Sequence, residues 1–237
     1  MAGSGTPDAG PPVGAARPAE AARPADAPPP VLRGPRVSLR PTTRRDILTL
    51  AAILTEPAVA DRWPRYDAAR VRADLVADRG KLGWAIEVDP RALRTPDRTS
   101  DRTLDRTPDR TLDWALDCAA DLDDARPPVV IGAIQAWEEN EPDYRHAGID
   151  LFLATAAQGR GLGPEAIRLV ATWLIDVRGH HRLTIDPAAD NVAAVRACRK
   201  VGFEPVGRLR LYERGADGEW HDAVLMELLA EDLVRER

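Results

Sequence analysis

The sequence predicts an α/β fold of the α+β type: a single mixed, mostly antiparallel sheet flanked by helices. Three observations carry this reading. The apolar run Ile149 to Leu153 leads into the glycine-rich stretch Gln158-Gly159-Arg160-Gly161-Leu162-Gly163-Pro164-Glu165 and then into an amphipathic segment, which is the order strand, turn, helix. Two further strand-like runs, Leu82 to Val88 and Val129 to Trp137, read as sheet neighbours. Val206 to Glu213 and His221 to Leu229 flank a turn at Gly215 to Gly218 and close the domain as a hairpin.

Taken in order, residues 1–30 are Ala, Pro and Gly with a few charges, too little apolar surface to offset the entropy of ordering, so a disordered tail precedes a domain over 31–237. No apolar run has the length of a signal-peptide core or the ~18 residues of a membrane helix, and the expectation is a cytoplasmic protein without membrane contact. Val37 to Leu39 reads as a first strand. Thr43 to Ile53 reads as a helix with Ile47, Leu50, Ala51 and Leu54 along one face, and Asp67 to Asp78 as a second with Val71, Leu75 and Val76 inward.

A short turn would normally join the next two strands, but a low-complexity insertion at about 92–126 intervenes. From Thr95 to Asp113 it repeats Thr-x-Asp-Arg every four residues, and Pro96 and Pro108 break any helix there. Glu165 to Val177 carries the stripe Ile167, Val170, Ala171, Leu174 and Val177 at helical spacing, with Pro164 suited to the first helical position. Leu183 to Ile185 gives a strand, and Asn191 to Val201 a helix ended by Gly202.

Composition narrows the chemistry. A formal charge of −5 disfavours duplex nucleic acid and favours a cationic ligand. Two cysteines, Cys118 and Cys198, make neither a disulfide framework nor a metal spacing, and His146, His180, His181 and His221 lack zinc spacing, so no metal is expected. Serine occurs only at 4, 38 and 100, away from any nucleophile elbow, which argues against serine-hydrolase chemistry.

The glycine turn is the candidate binding element. Gly159, Gly161 and Gly163 permit a tight bend and close approach of a ligand, and the free amides of the following helix turn offer a phosphate or pyrophosphate site. Pro164-Glu165 stand where a nucleotide-triphosphate loop needs Lys-Ser or Lys-Thr, and the turn lies too late in the chain for a dinucleotide fold.

The turn resembles the Gln/Arg-x-x-Gly-x-Gly/Ala signature of the GNAT-superfamily N-acetyltransferases, with Gln158, Gly161 and Gly163 at the diagnostic positions. Asp186-Pro187, Asp190-Asn191, Ala194 to Arg196 and Val201 to Glu204 resemble the strand and helix that come after it. Leu39-Arg40-Pro41 with Asp46 is similar to the family's opening strand and helix. The blocks Trp137-Glu138-Glu139 and Gly148-Ile149-Asp150 resemble the aminoglycoside 6′-N-acetyltransferases in particular.

The resemblance implies a sheet with a splayed central strand pair and acetyl-CoA as co-substrate, its pyrophosphate on the amides of Gln158, Gly159, Arg160, Gly161, Leu162 and Gly163. Its pantetheine arm would lie along Leu151, Phe152 and Leu153, where one amide would polarise the thioester, and Asn191 would hold that arm or cap its helix. The acceptor implied is a primary amine of a small cationic molecule, an aminoglycoside at its 6′-amine before others, with a protein N-terminus or lysine as an alternative and non-catalytic acyl-CoA sensing as another. Such a protein would be a monomer or homodimer.

An attacking amine must lose its proton, so carboxylates are needed beside it. Asp150, at the Asp of the Gly-Ile-Asp block, is the first candidate for binding the ammonium and accepting that proton. Asp186, at the end of the next strand, is the second. Trp137, Glu138 and Glu139 are candidate acceptor-binding residues, the acidic stretch through Glu141 and Asp143 serving to attract a polycation. In many members of the family a tyrosine protonates the departing thiolate; by spacing Cys198 stands there, which makes it a candidate acid with a packing role as the alternative.

Overall fold

The structure, a computed structural model, describes residues 28–63, 66–78, 80–93 and 127–235. Eight strands form one sheet: β1 (Leu32–Arg33), β2 (Val37–Pro41), β3 (Lys81–Val88), β4 (Val129–Glu139), β5 (His146–Leu153), β6 (Arg182–Ile185), β7 (Glu204–Arg214) and β8 (Trp220–Leu229). Their spatial order is β1-β2-β3-β4-β5-β6-β8-β7, and every neighbouring pair is antiparallel except the parallel pair β5 and β6. The mixed, mostly antiparallel sheet expected from the sequence is therefore present. Among the described residues no helix is long and apolar enough to cross a membrane.

The first helical region shows how local chemistry sets an element. Thr43 caps it by accepting from the Arg45 amide at 3.3 Å, while the Asp46 carboxylate accepts from the Thr43 amide at 2.8 Å, which satisfies two otherwise orphaned donors. Asp46 is buried because Arg40 on β2 grips both its oxygens, at 2.7 and 2.8 Å. This is the physical content of the Leu39-Arg40-Pro41 and Asp46 resemblance. Helix α1 (Ile47–Leu54) comes next, then a short α2 (Pro57–Ala60) that the sequence reading missed.

The expected helix over Asp67 to Asp78 begins as α3 (Ala68–Val71), N-capped by Asp67, and continues in π-helical form from Arg72 to Ala77. Val71 and Leu75 are buried as expected, and Val76 is only half-buried. Helix α4 (Leu162–Asp176) starts earlier than expected, so Pro164 stands third in the helix instead of first. Its missing N–H still costs nothing, because no first-turn amide has an intrahelical acceptor. Asn191 caps α5 (Val192–Arg199) and Gly202 adopts φ 112° behind it, as a helix terminator requires.

Two cores lie on opposite faces of the sheet. Ile134, Ala136, Ala147 and Ile149 pack against Leu162, Ala166, Ile167, Val170 and Leu174 of α4, with the Trp84 and Trp173 rings edge to face at 5.7 Å. Ala133 and Phe152 face the other way, onto Leu50, Ile53, Leu54, Val59, Val71 and Leu75 of α1 to α3. Side-chain alternation along β4 and β5 thus sorts each residue to the α4 side or the α1–α3 side.

Most of the tail (1–27) and most of the insertion (94–126) lie outside the described residues. Their described margins are used: the Trp84 indole donates to the Pro30 carbonyl at 2.8 Å, and Ala92 and Leu93 pack on the core.

Candidate functional site

The parallel pair β5 and β6 matches only Ala147 with Leu183 and Gly148 with Thr184. Beyond these the chain leaving β6 turns away to run along β8: Ala188 bridges Ala223, the Ala189 amide donates to the Asp222 carbonyl at 2.8 Å, and the Val224 amide donates to the Pro187 carbonyl at 2.9 Å. Meanwhile β5 stays on β4 as far as Leu153. A slot opens where the strands part, with Asp150 on one lip and Asp186 on the other, each two residues past the last matched pair.

Asp150 shares its face with Phe152 and therefore looks toward α1–α3. Burial, reinforced by the charge of Asp186 and less by Glu213, pushes its carboxyl up to about 7, against hydrogen bonds from Gln135 and the Leu151 amide that pull it down. Gln135 is buried on the neighbouring strand; its Nε2 lies 3.5 Å from Asp150 Oδ2, and its Oε1 has no partner among the described residues.

The closing hairpin brings two more groups to the slot. Leu209 pairs with Ala223 and Glu213 with His221, so Arg210, Leu211 and Tyr212 stand opposite the single residue Asp222. This bulge places Leu211 at φ 49°, its amide held by Asp222 Oδ1 at 2.7 Å, and re-aims Tyr212 and Glu213 beyond it. The Asp186 carboxylate beside the Tyr212 hydroxyl, together with burial, raises the hydroxyl to about 12. Burial and then Asp186 raise Glu213 above the usual carboxylate range. On the facing wall Trp63 packs against Tyr66 at 5.5 Å and Phe152 at 5.1 Å, and Arg62 pairs with Asp190 across the mouth. An acidic crevice with an aromatic wall is an environment that favours cations.

The glycine turn lies just past the end of β5. Gly159 and Gly161 take φ 72° and 78°, which only glycine adopts without strain. Gln158 braces the turn by donating from Nε2 to the Leu153 carbonyl at 3.0 Å, and Arg160 by donating from Nε to the Ala156 carbonyl at 2.7 Å. Among the described residues no acceptor takes the amides of Gly159, Arg160 or Gly161, and those of Leu162 and Gly163 open α4. A Cβ at Gly159 would meet nothing within 4 Å, so the outer face of the turn is open to a phosphate.

Residues 36–204 match the family described as acetyltransferase (GNAT) domain. The chain belongs to the GNAT family. Two curated GNAT relatives are the aminoglycoside N(6′)-acetyltransferase type 1 of Klebsiella pneumoniae and the kanamycin resistance protein of Rhizobium radiobacter. The first is 36% identical over 80 residues, 33% of this chain and 40% of the relative. The second is 38% identical over 72 residues, 30% of this chain and 67% of the relative. The match thus spans two-fifths of the length of the Klebsiella enzyme.

Two solved structures share the GNAT fold. Mycobacterium smegmatis RimJ in complex with CoA-disulfide superposes with a TM-score of 0.61 at 20% identity, covering 87% of this chain and 89% of that one. Vibrio cholerae spermidine N-acetyltransferase in complex with CoA and spermine gives 0.59 at 16%, covering 84% and 98%.

Against this GNAT frame the sequence candidates separate. Asp150, Asp186 and the turn residues gather at the slot. Phe152 is buried in the α1–α3 core, whereas the Leu151 amide lies beside Asp150's own carboxylate and the Leu153 carbonyl is taken by Gln158. Asn191 Oδ1 caps its helix through the Ala194 amide at 3.1 Å. Trp137 lies on the Asp150 face with its indole seated over Gly148, where a Cβ would overlap the ring. Glu139 is exposed and accepts from the Glu141 amide at 2.9 Å.

Two expectations need correction. Glu138 points to the α4 side, away from Asp150, and both its oxygens are used: Arg178 donates to them at 2.9 and 3.1 Å and His180 lies 2.8 Å away. Burial pushes its pKa upward, but those hydrogen bonds win and hold it at about 2. Cys198 is buried in the core at 2% exposure, where burial pushes its thiol up to about 12. A thiol so weakly acidic packs better than it donates.

Because Glu138 has a lowered folded-state pKa, its contribution is complete above 4.5 and is lost as pH falls toward about 2. Glu138→Gln is expected to cost about 3 kcal/mol at neutral pH by leaving Arg178 unpaired, and to flatten the acid limb of stability in denaturant titrations. A loss of acceptor affinity at unchanged stability would return Glu138 to the site.

Proposed function

We propose that the chain is an acetyl-CoA-dependent N-acetyltransferase acting on a primary amine of a small polycationic acceptor, an aminoglycoside at its 6′-amine before others. The observation that carries this reading is the meeting of unclaimed amides on one side of a parted strand pair with Asp150, held at about 7, inside it. The match to aminoglycoside N(6′)-acetyltransferase sequence supports the acceptor class.

Bound acetyl-CoA supplies an acetyl thioester. The amides of Gly159 to Gly163 would hold its pyrophosphate, and the main-chain groups of Leu151 to Leu153 on the β5 edge freed by the splay, other than the Leu153 carbonyl that Gln158 takes, would hold the arm, joined by the Asn191 side-chain amide nitrogen left over from capping. Asp150 binds the acceptor's ammonium and takes a proton from it, a task that suits a carboxyl titrating near neutrality. Asp186 and Glu213 hold neighbouring ammonium groups, Tyr212 fixes the Asp186 carboxylate, and Gln135 Oε1 accepts an N–H of the acceptor. Trp63 and Tyr66 stack against its rings. Among the described residues the slot carries no serine, cysteine or lysine to take the acetyl group, so transfer is direct: the amine nitrogen bonds the acetyl carbon, the carbon–sulfur bond breaks, and CoA leaves as its thiolate. Cys198 serves packing.

Thiol release from acetyl-CoA, combined with mass spectrometry of the acceptor, tests this with aminoglycosides, polyamines and basic peptides side by side. Release with aminoglycosides bearing a 6′-amine is expected. Release with peptides alone would overturn the acceptor class, and cofactor binding without release from any amine would overturn catalysis in favour of a sensor.

A further inference from the structure

Arg36, at the entry to β2, reaches the phosphate turn from behind. Its Nη1 donates to the Arg160 carbonyl at 2.9 Å and its Nη2 to the Gly161 carbonyl at 3.1 Å. Its Nε donates to Glu165 Oε2 at 2.9 Å, and Glu165 Oε1 accepts from the Arg36 and Val37 amides at 2.7 and 3.0 Å. Glu165 is 3% exposed, and Gly34 leaves room for it: a Cβ there would come within 2.7 Å of Oε1. One guanidinium therefore joins the start of β2, the first turn of α4 and two successive peptides of the glycine turn.

In a trans peptide the carbonyl and the amide of the same plane point in opposite directions, and the described residues contain no cis peptide. Drawing the Arg160 carbonyl toward Arg36 turns the Gly161 amide away from it, and drawing the Gly161 carbonyl does the same to the Leu162 amide. Those two amides face the open side of the turn. Without the grip, the glycine between them, Gly161, leaves these planes free to rotate, and ordering them on a ligand then costs binding energy.

We infer that Arg36, anchored by the buried Glu165, is a positioning residue that pre-aims the Gly161 and Leu162 amides at the pyrophosphate of the acyl carrier. The inference rests on the proposed role of the turn. Lysine carries the same charge but cannot fork to two carbonyls and a carboxylate.

Calorimetric titration of CoA, and of pantetheine lacking the pyrophosphate, into wild type, Arg36→Lys and Glu165→Gln tests it, with melting temperatures recorded for each. Arg36→Lys is expected to weaken CoA about tenfold and pantetheine by less than about twofold, with kcat at saturating acetyl-CoA retained. Glu165→Gln, which keeps two acceptor contacts but loses the charge, is expected to fall between. Equal CoA affinity in wild type and Arg36→Lys, or equal losses for both ligands, would overturn the inference. Wild type that binds no CoA would instead overturn the role of the turn itself.

Discussion

Asp150→Asn is expected to lower kcat by about a hundredfold, the scale of a lost general base, with CoA affinity unchanged. The wild-type rate should rise with pH and level off above about 7, because only the ionised carboxyl takes the proton, and the Asn variant should lack that inflection. Stability gives an independent check with the opposite sign. Asp150 has a folded-state pKa raised from 3.8 to about 7, so the folded chain holds a proton there that the unfolded chain releases. Its contribution to stability therefore falls as pH rises through that window. Relative to wild type, Asp150→Asn should gain about 4 kcal/mol between about pH 4 and about pH 8. An unchanged rate, or a relative stability that does not move with pH, would remove Asp150 from the role.

Gly161→Val acts on the other side of the slot. Gly161 sits at φ 78°, and an added Cβ would stand 3.3 Å from Arg36 Nη2, so a β-branched residue meets both backbone strain and the guanidinium behind the turn. Relieving either means rotating the peptides that present the amides. A left-handed conformation alone costs a non-glycine residue about 1–2 kcal/mol, and CoA affinity is expected to fall by about ten- to hundredfold. The acceptor crevice lies on the far side of the parted strands and should keep its affinity. Undiminished CoA binding by a folded Gly161→Val protein would mean that the turn does not hold the phosphates.

Much of this was legible in the residues, for physical reasons that differ by element. The glycine turn announced itself because positive φ and bare amides demand glycine, and α4 because its apolar stripe keeps helical period over fifteen residues. Asp150 was singled out by the resemblance of its Gly-Ile-Asp block and Asp186 by its place at the end of a strand, each joined to the chemistry of amine attack. Glu138 misled because Ile131 to Ala136 is buried on both faces of β4, which erases the alternation that would have put it opposite Gln135.

Tyr212 and Glu213 escaped notice because the bulge breaks the two-residue period that assigns strand faces. The joining of Arg36 to Glu165 spans 129 residues of sequence and leaves no local signal. Gln135 carries no motif at all; its unpaired Oε1 becomes visible only when the fold surrounds it.

The most direct test of the phosphate turn is a titration of CoA into the isotopically labelled protein, monitored through amide proton and nitrogen shifts. The amides of Gly159, Gly161, Leu162 and Gly163 should move farthest and saturate together, with pantetheine leaving them nearly still. Saturable CoA binding that shifts amides elsewhere and leaves these four in place would contradict the assignment of the turn.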